Sequence, residues 1–174
     1  MGNKNVGKTS IIQSFLNNAS MKGKPKDPTK VMSDFTRAMT VTDKEGRNHE
    51  LTLNIWDAAG DVSVHNLAHL FLNSANVAVL CYAIDDKRSF DQLHEWAEHL
   101  RDKEDEMFIV IVGSKSDLVK NRAVPSFHAM KLKNEYKNCK FTTETSAYEN
   151  IETIEQLFSQ IGQLIIEEKR YTEK

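Results

Sequence analysis

Apolar and polar positions follow two periods along this chain, and each change of period marks an element. From Thr9 to Asn17 the apolar residues Ile11, Ile12, Phe15 and Leu16 recur at the i, i+3, i+4 spacing of a helix face. A polar loop follows over residues 19–34, holding Pro25, Pro28, Lys22, Lys24, Lys26 and Lys30. Loops of this length inside compact domains are usually functional or mobile. Phe35–Thr42 and His49–Trp56 read as strands, the second with Leu51, Leu53 and Ile55 alternating with polar positions. Asp43-Lys44-Glu45-Gly46 between them carries hairpin turn chemistry. Asp61–Leu72 is mixed, with a short helical stretch expected at Leu67–Leu72.

Val77–Ile84 is a continuous apolar run, as a strand covered on both faces requires, and Met107–Val112 is a second. Ser89–Lys103 reads as an amphipathic helix with Phe90, Leu93, Trp96, Ala97 and Leu100 inward. Pro125–Tyr136 is a helix opened by a proline, which suits a first helical turn. Lys140–Thr145 is a last strand, and Ile151–Lys169 a closing helix with Ile154, Leu157, Phe158, Ile161, Leu164 and Ile165 inward. Strands alternating with helices in this order predict a doubly wound, mostly parallel α/β sheet.

A length of 174 residues suits one domain with a full core, and 40% apolar with 28% charged is ordinary for a globular protein. The formal net charge of −2 argues against a general nucleic-acid binder. Cys81 and Cys139 lack metal-ligand spacing, and Cys81, inside an apolar run, reads as a buried thiol in a reducing compartment. His65 and His69 could share a helix face, but without a third ligand they read as surface residues. No apolar stretch approaches the ~20 residues that span a bilayer. Val6 stands where an N-myristoylation motif needs Ser or Thr, and Arg170-Tyr171-Thr172-Glu173-Lys174 offers no cysteine for prenylation. With no lipid anchor visible, the expectation is a cytoplasmic monomer, peripheral on endomembranes only through a partner.

The strongest local chemistry lies at the start. Gly2 to Thr9 (G-N-K-N-V-G-K-T) reads G-x-x-x-x-G-K-[ST]. In such a loop backbone N–H groups ring a polyphosphate, Lys8 reaches its outer phosphates and the Thr9 hydroxyl coordinates Mg²⁺. A helix starting at Lys8-Thr9 would aim its dipole and free N–H groups at the same phosphates. The motif should follow a buried strand, and in this sequence nothing precedes it. Burying five to six apolar side chains at ~1.5–3 kcal/mol each would contribute ~8–18 kcal/mol before entropy costs, against a net domain stability of ~5–15 kcal/mol. Either the sequence starts inside a longer protein or the chain folds with a defect, and the first is the expectation.

In open α/β sheets ligands bind beyond the C-terminal strand ends. Asp57-Ala58-Ala59-Gly60 closes one strand, Ser114-Lys115-Ser116-Asp117-Leu118 follows another, and Thr145-Ser146-Ala147 follows the last. This set, in order with the phosphate loop, resembles the Ras superfamily of small GTPases across essentially the whole chain, and its Rab branch most of all. Leu53-Asn54-Ile55-Trp56-Asp57-Ala58-Ala59-Gly60 is similar to the Rab stretch ending W-D-T-A-G, and Ile84 to Phe90 to the Y-D-I-T-x-x-x-S-F region. Glu144-Thr145-Ser146-Ala147 and Ile154-Glu155-Gln156-Leu157-Phe158 are similar to the E-T-S-A-K and closing-helix patterns.

The resemblance implies the three-layer fold of P-loop small G proteins, here with its first strand missing or truncated. It also implies a guanine-nucleotide switch of Rab type that regulates vesicle traffic through effectors. Gly2, Asn3, Asn5, Val6, Gly7, Lys8, Thr9 and Ser10 would meet the phosphates. Thr9, Asp57 (through water) and Thr29, the choice for the first-switch threonine, would hold Mg²⁺. The Gly60 N–H would touch the γ-phosphate, Asp117 would accept from guanine N1 and N2, and Lys115 would lie along the base. The Ala147 N–H would meet O6, with Ser114, Leu118, Ser146 and Tyr148 around it. Effectors would bind residues 22–42 and 58–72, and an exchange factor and a GAP are implied.

Four departures carry their own expectations. Asp61 stands where the family has the glutamine that orients the attacking water, so of the implied catalytic residues Asp61 and Lys8 the first is impaired, and slow hydrolysis is expected. Ser114 replaces the asparagine of N-K-x-D, which predicts faster nucleotide exchange. Tyr148 replaces a lysine, and the usual C-terminal cysteine pair is absent from this sequence. The rival reading is a GTP-binding adaptor or pseudo-GTPase without turnover. A P-loop ATPase or nucleotide kinase is disfavoured by the S-K-S-D and T-S-A segments.

Overall fold

The computed structural model describes residues 1–24, 29, 32–60, 72, 74–100 and 107–172, with side chains described as far as residue 167. In chain order its elements are α1 (Lys8–Asn17), β1 (Met32–Thr42), β2 (Asn48–Ala58) and β3 (Val77–Ala83). They continue with α2 (Lys87–Asp91), α3 (Leu93–Glu98), β4 (Phe108–Ser114), a 3-10 turn at Val119–Asn121, α4 (Ser126–Lys133), β5 (Cys139–Glu144) and α5 (Ile151–Thr172).

The two apolar runs form the centre. β3 and β4 pair parallel from Val77 opposite Phe108 to Ala83 opposite Ser114, and β5 pairs parallel with the far edge of β4. Successive side chains of a strand face opposite ways, and here both faces are covered. Leu80, Tyr82, Ile109 and Ile111 join one core with Leu93, Trp96, Leu100 and Leu132. Cys81, Ala83, Val110 and Val112 join the other with Phe15, Ile154, Leu157 and Phe158. The chain is therefore helix, sheet, helix in section, an α/β arrangement of three layers.

β1 and β2 form a separate antiparallel pair, in register from Met32 opposite Ala58 to Thr42 opposite Asn48. Asp43 closes their hairpin, its carboxylate accepting from the backbone N–H of Glu45 (2.8 Å) and Arg47 (2.9 Å). On the edge of β3 away from β4, Met1 makes backbone hydrogen bonds and Gly2 lies against Cys81. The Met1 amine donates to Val79 O at 2.7 Å, and Cys81 N donates to Met1 O at 2.9 Å. A cavity of about 520 Å³ lies here, bordered by Leu53 and Ile55 of β2, Val77 and Val79 of β3, and Leu157 and Ile161 of α5. The Met1 side chain is only half-buried, but its amine is enclosed, and that burial together with the nearby Lys8 charge pushes the amine down to about 6.

Some boundaries differ from the sequence reading. The helix expected at Ser89–Lys103 starts earlier, at Lys87, because the Asp86 side chain caps the Ser89 N–H at 3.2 Å. It breaks at Gln92, the end of α2 and the cap of α3, and residues 101–103 lie outside the described residues. α4 stops at Lys133, three residues short of Tyr136, because the following N–H groups of Glu135 and Tyr136 take tighter i−3 bonds to Leu132 and Lys133. The helix expected at Leu67–Leu72 falls, apart from Leu72, outside the described residues, as do His65 and His69.

Candidate functional site

The loop between Met1 and α1 is shaped by what its glycines allow. Gly2 has φ +134°, and a Cβ there would stand 2.1 Å from Cys81 O, so only glycine can cross the β3 backbone at this point. Asn5 takes a left-handed φ of 66° at the loop's crest, a conformation asparagine tolerates better than most. Gly7 ends the loop as the residue before α1. α1 begins with no side-chain cap and no acidic residue in its first turn. Its leading N–H groups and positive dipole end are therefore uncompensated and available to an anion. Lys8 reaches back over the loop, its Nζ donating to Gly2 O at 2.7 Å and Asn3 O at 2.8 Å. Burial lowers the Lys8 pKa, opposed by Cys81 and Asp57 nearby.

At the start of α1 three oxygens from three segments converge. Thr9 Oγ1 donates to Asp57 Oδ2 at 2.5 Å, Thr29 Oγ1 to the same oxygen at 3.0 Å, and the two hydroxyls lie 2.8 Å apart. Asp57 is 2% exposed, and its Oδ1 is buried with no hydrogen-bond partner among the described residues. A buried carboxylate oxygen without a partner is costly. One carboxylate with two hydroxyls is also a hard-oxygen donor set of the kind Mg²⁺ takes, so the residues fit that ion. Thr29, placed from sequence by its Pro-Thr context, lies with the other two expected ligands.

The opposite end is built on the ends of β4 and β5. Lys115 adopts φ +59°, and its Nζ pairs with Asp85 at 3.1 Å. Asp117 Oδ1 accepts from Ser146 Oγ at 2.5 Å, and that hydroxyl in turn accepts from the N–H groups of Tyr148 (3.0 Å) and Glu149 (3.1 Å). The Asp117 carboxylate is thereby held in one orientation. Ser114 is buried and offers its hydroxyl to both Val6 O and Tyr82 O, tying β4 to the phosphate loop. Met21 N donates to Ala147 O at 2.8 Å and Ser20 Oγ to Tyr148 O at 2.7 Å, so the loop after α1 braces this end.

Between the two ends runs a cleft of about 990 Å³, at the upper end of ligand-pocket sizes. Asn5, Gly7, Lys8, Thr9, Ser10, Thr29, Gly60, Ser114, Lys115, Asp117, Leu118, Ala147 and Tyr148 line it. Gly2, Asn3, Val6, Asp57 and Ser146 stand outside that lining, bonded to residues that form it. Asp61 lies outside the described residues, and so do 25–28, 30–31 and 61–71 of the expected effector stretches. Sequence reading did not name Lys4, Ile11, Ala58 and Ala59 as site residues, although they also line the cleft, and it missed Asp85, the partner of Lys115. Lys4 sits at a variable position of the motif and Asp85 follows a buried strand, so each carried only a positional signal.

Residues 1–167 match the Ras family. The chain is 34% identical to the Ras-related protein RabJ of Dictyostelium discoideum over 169 residues, covering 95% of this chain and 61% of that protein. It is 31% identical to the Ras-related protein Rab-17 of Mus musculus over 170 residues, 96% of this chain and 74% of the relative. To the Ras-like GTP-binding protein RYL2 of Yarrowia lipolytica it is 26% identical, covering 100% of this chain and 82% of the relative. The chain thus spans about three fifths of RabJ and about four fifths of RYL2. With the match running from the phosphate loop into the closing helix, the chain belongs to the Ras family, among its divergent, Rab-like members.

Proposed function

We propose that this chain is a guanine-nucleotide switch of Rab type. The observation that carries the reading is one cleft with an uncapped helix N-terminus and the Thr9–Thr29–Asp57 oxygens at one end and an oriented Asp117 carboxylate at the other. A ligand with phosphates at one end and a base at the other would match these two ends.

Loop N–H groups and Lys8 would bind the phosphates, and Lys8 would exchange its loop carbonyls for phosphate oxygens. Thr9, Thr29 and Asp57 would hold Mg²⁺, which when bound neutralises phosphate charge. Asp117 would accept from guanine N1–H and N2–H, donors that adenine does not present in that arrangement. Ala147 N–H would complete the base contact, and Lys115 would lie along the ring. Thr29 and Gly60 belong to the two stretches, 22–42 and 58–72, that would order on the γ-phosphate and present effectors with a nucleotide-dependent surface. Control of vesicle traffic through such effectors, with an exchange factor and a GAP, follows from the Rab likeness. With aspartate at position 61, hydrolysis would be slow, because its side chain is shorter than glutamine's, lacks the amide N–H donors and, ionised, adds negative charge near the γ-phosphate.

The test is to purify the chain, denature it and identify the released nucleotide by chromatography, together with competition by GTP and ATP. GDP or GTP in the supernatant with GTP outcompeting ATP is the expected result. ATP competing equally would sink the guanine reading. Guanine nucleotide binding without any phosphate release would move the chain to the adaptor reading.

A further inference from the structure

We infer that Asn3 is a positioning residue for the γ-phosphate end of the cleft, an amide clamp joining the phosphate loop to α2 and α3. This rests on the guanine-nucleotide reading above. Asn3 is bound at both ends of its side chain. Its Nδ2 donates to Gln92 Oε1 at 2.5 Å, and its Oδ1 accepts from Trp96 Nε1 at 2.9 Å. Gln92 is the joint between α2 and α3, and Trp96 is buried on α3, so both partners stand on packed elements. The amide is thus held by helices and not by the cleft that the motif position suggests.

The backbone of the same residue carries two further contacts. Asn3 O accepts from Lys8 Nζ at 2.8 Å. Gly60 lies so close over the Asn3–Lys4 peptide that a Cβ on it would stand 2.2 Å from Asn3 C and 2.2 Å from Lys4 N. This one peptide therefore seats Gly60, the residue assigned to the γ-phosphate, and receives the lysine assigned to the outer phosphates. A diphosphate would draw on Lys8 and on the N–H groups at the start of α1, and would leave Gly60 without a phosphate. Loosening the clamp thus shifts the Gly60 seat, and weakens triphosphate binding more than diphosphate binding, which has no γ-phosphate for Gly60 to meet. A residue that merely stiffened the fold would weaken both equally.

The experiment measures Kd for GTPγS and for GDP in the whole chain, in Asn3→Ala, in Trp96→Phe and in the double variant. Trp96→Phe keeps an aromatic ring in the core and removes the donor. Each single variant is expected to raise the GTPγS Kd by about fivefold to tenfold, the worth of one or two hydrogen bonds, with the GDP Kd moving less than about twofold. The double variant is expected to match the weaker single, because both substitutions break one clamp. Equal losses for the two nucleotides, an unchanged GTPγS Kd or fully additive losses would each overturn the inference. An unsubstituted chain that binds neither nucleotide would instead overturn the guanine reading. Circular dichroism checks the folding of each variant. Should Asn3→Ala not fold, Gln92→Leu opens the clamp from its other side and is read against the same ratio.

Discussion

Ser114 has one proton to give and two carbonyls within reach of it, Val6 O and Tyr82 O. An asparagine side chain has two donors on one nitrogen and could serve both. Ser114→Asn is therefore expected to firm the link between β4 and the phosphate loop and slow GDP release by up to about tenfold, a gain of ~0.5–1.5 kcal/mol. Stopped-flow release of a fluorescent GDP reads this directly, and an unchanged rate would contradict it. Ser114→Ala should act in the opposite sense and also destabilise the fold by ~1–3 kcal/mol, since buried carbonyls lose their donor. At the base end, Asp117→Ala should abolish the preference for GTP over ATP while leaving the loop intact, as measured by competition. The gathering of these residues around one cleft was partly legible in the sequence, because the glycine-rich loop before α1 and the carboxylate after β4 are residue types at short spacings. The Asn3 clamp was not, because its partners lie 89 and 93 positions away and only the fold brings them together.

Among the elements, the junction of α1, β1 and α5 bears most directly on the site, since it fixes the helix whose N-terminus opens the cleft. Phe15 is fully buried and stacks on Phe158 with ring centroids 3.7 Å apart. The Arg37 guanidinium lies 3.9 Å from the Phe15 ring centroid and pairs with Glu155 at 2.9 Å. Phe15→Ala is expected to cost ~3–5 kcal/mol of stability. Arg37→Ala should cost only about 1 kcal/mol, because the ion pair is partly exposed. Urea midpoints would rank the two, and a larger loss for Arg37→Ala would mean that the charged contact, not the ring stack, holds α1. The inward positions of α1 and α5 were readable from their 3.6-residue period. The break at Gln92 and the early end of α4 were not, because they depend on a side-chain cap and on local i−3 bonds that periodicity does not register. The separation of β1–β2 from the parallel strands is a matter of what lies between them, which no pattern within either pair encodes.

For the whole molecule, the enclosed Met1 amine sets a pH dependence in the 174-residue chain with a free amino terminus. Its pKa falls from 8.0 to about 6 on folding. Between those values the unfolded chain binds more protons than the folded one, so stability rises with pH through this window. The shortfall is fully present below about pH 6 and gone above about pH 8, and amounts to roughly 1–3 kcal/mol. Urea midpoints at pH 5.5 and 8.5 measure it, and acetylation of Met1 should remove this component of the difference.

The space of about 520 Å³ between β2 and β3 has a mechanical consequence. Compression favours whichever state occupies less volume, and unfolding lets water into voids that the folded chain keeps from it. Volume changes of unfolding run from about −20 to −100 mL/mol and scale with such voids. The space opens partly to solvent, so only its apolar recess acts as a void, and the volume change should fall within that range. Val79→Leu, which adds a methylene at the wall of the space, should make the volume change smaller in magnitude. High-pressure fluorescence of Trp56 and Trp96 would follow both.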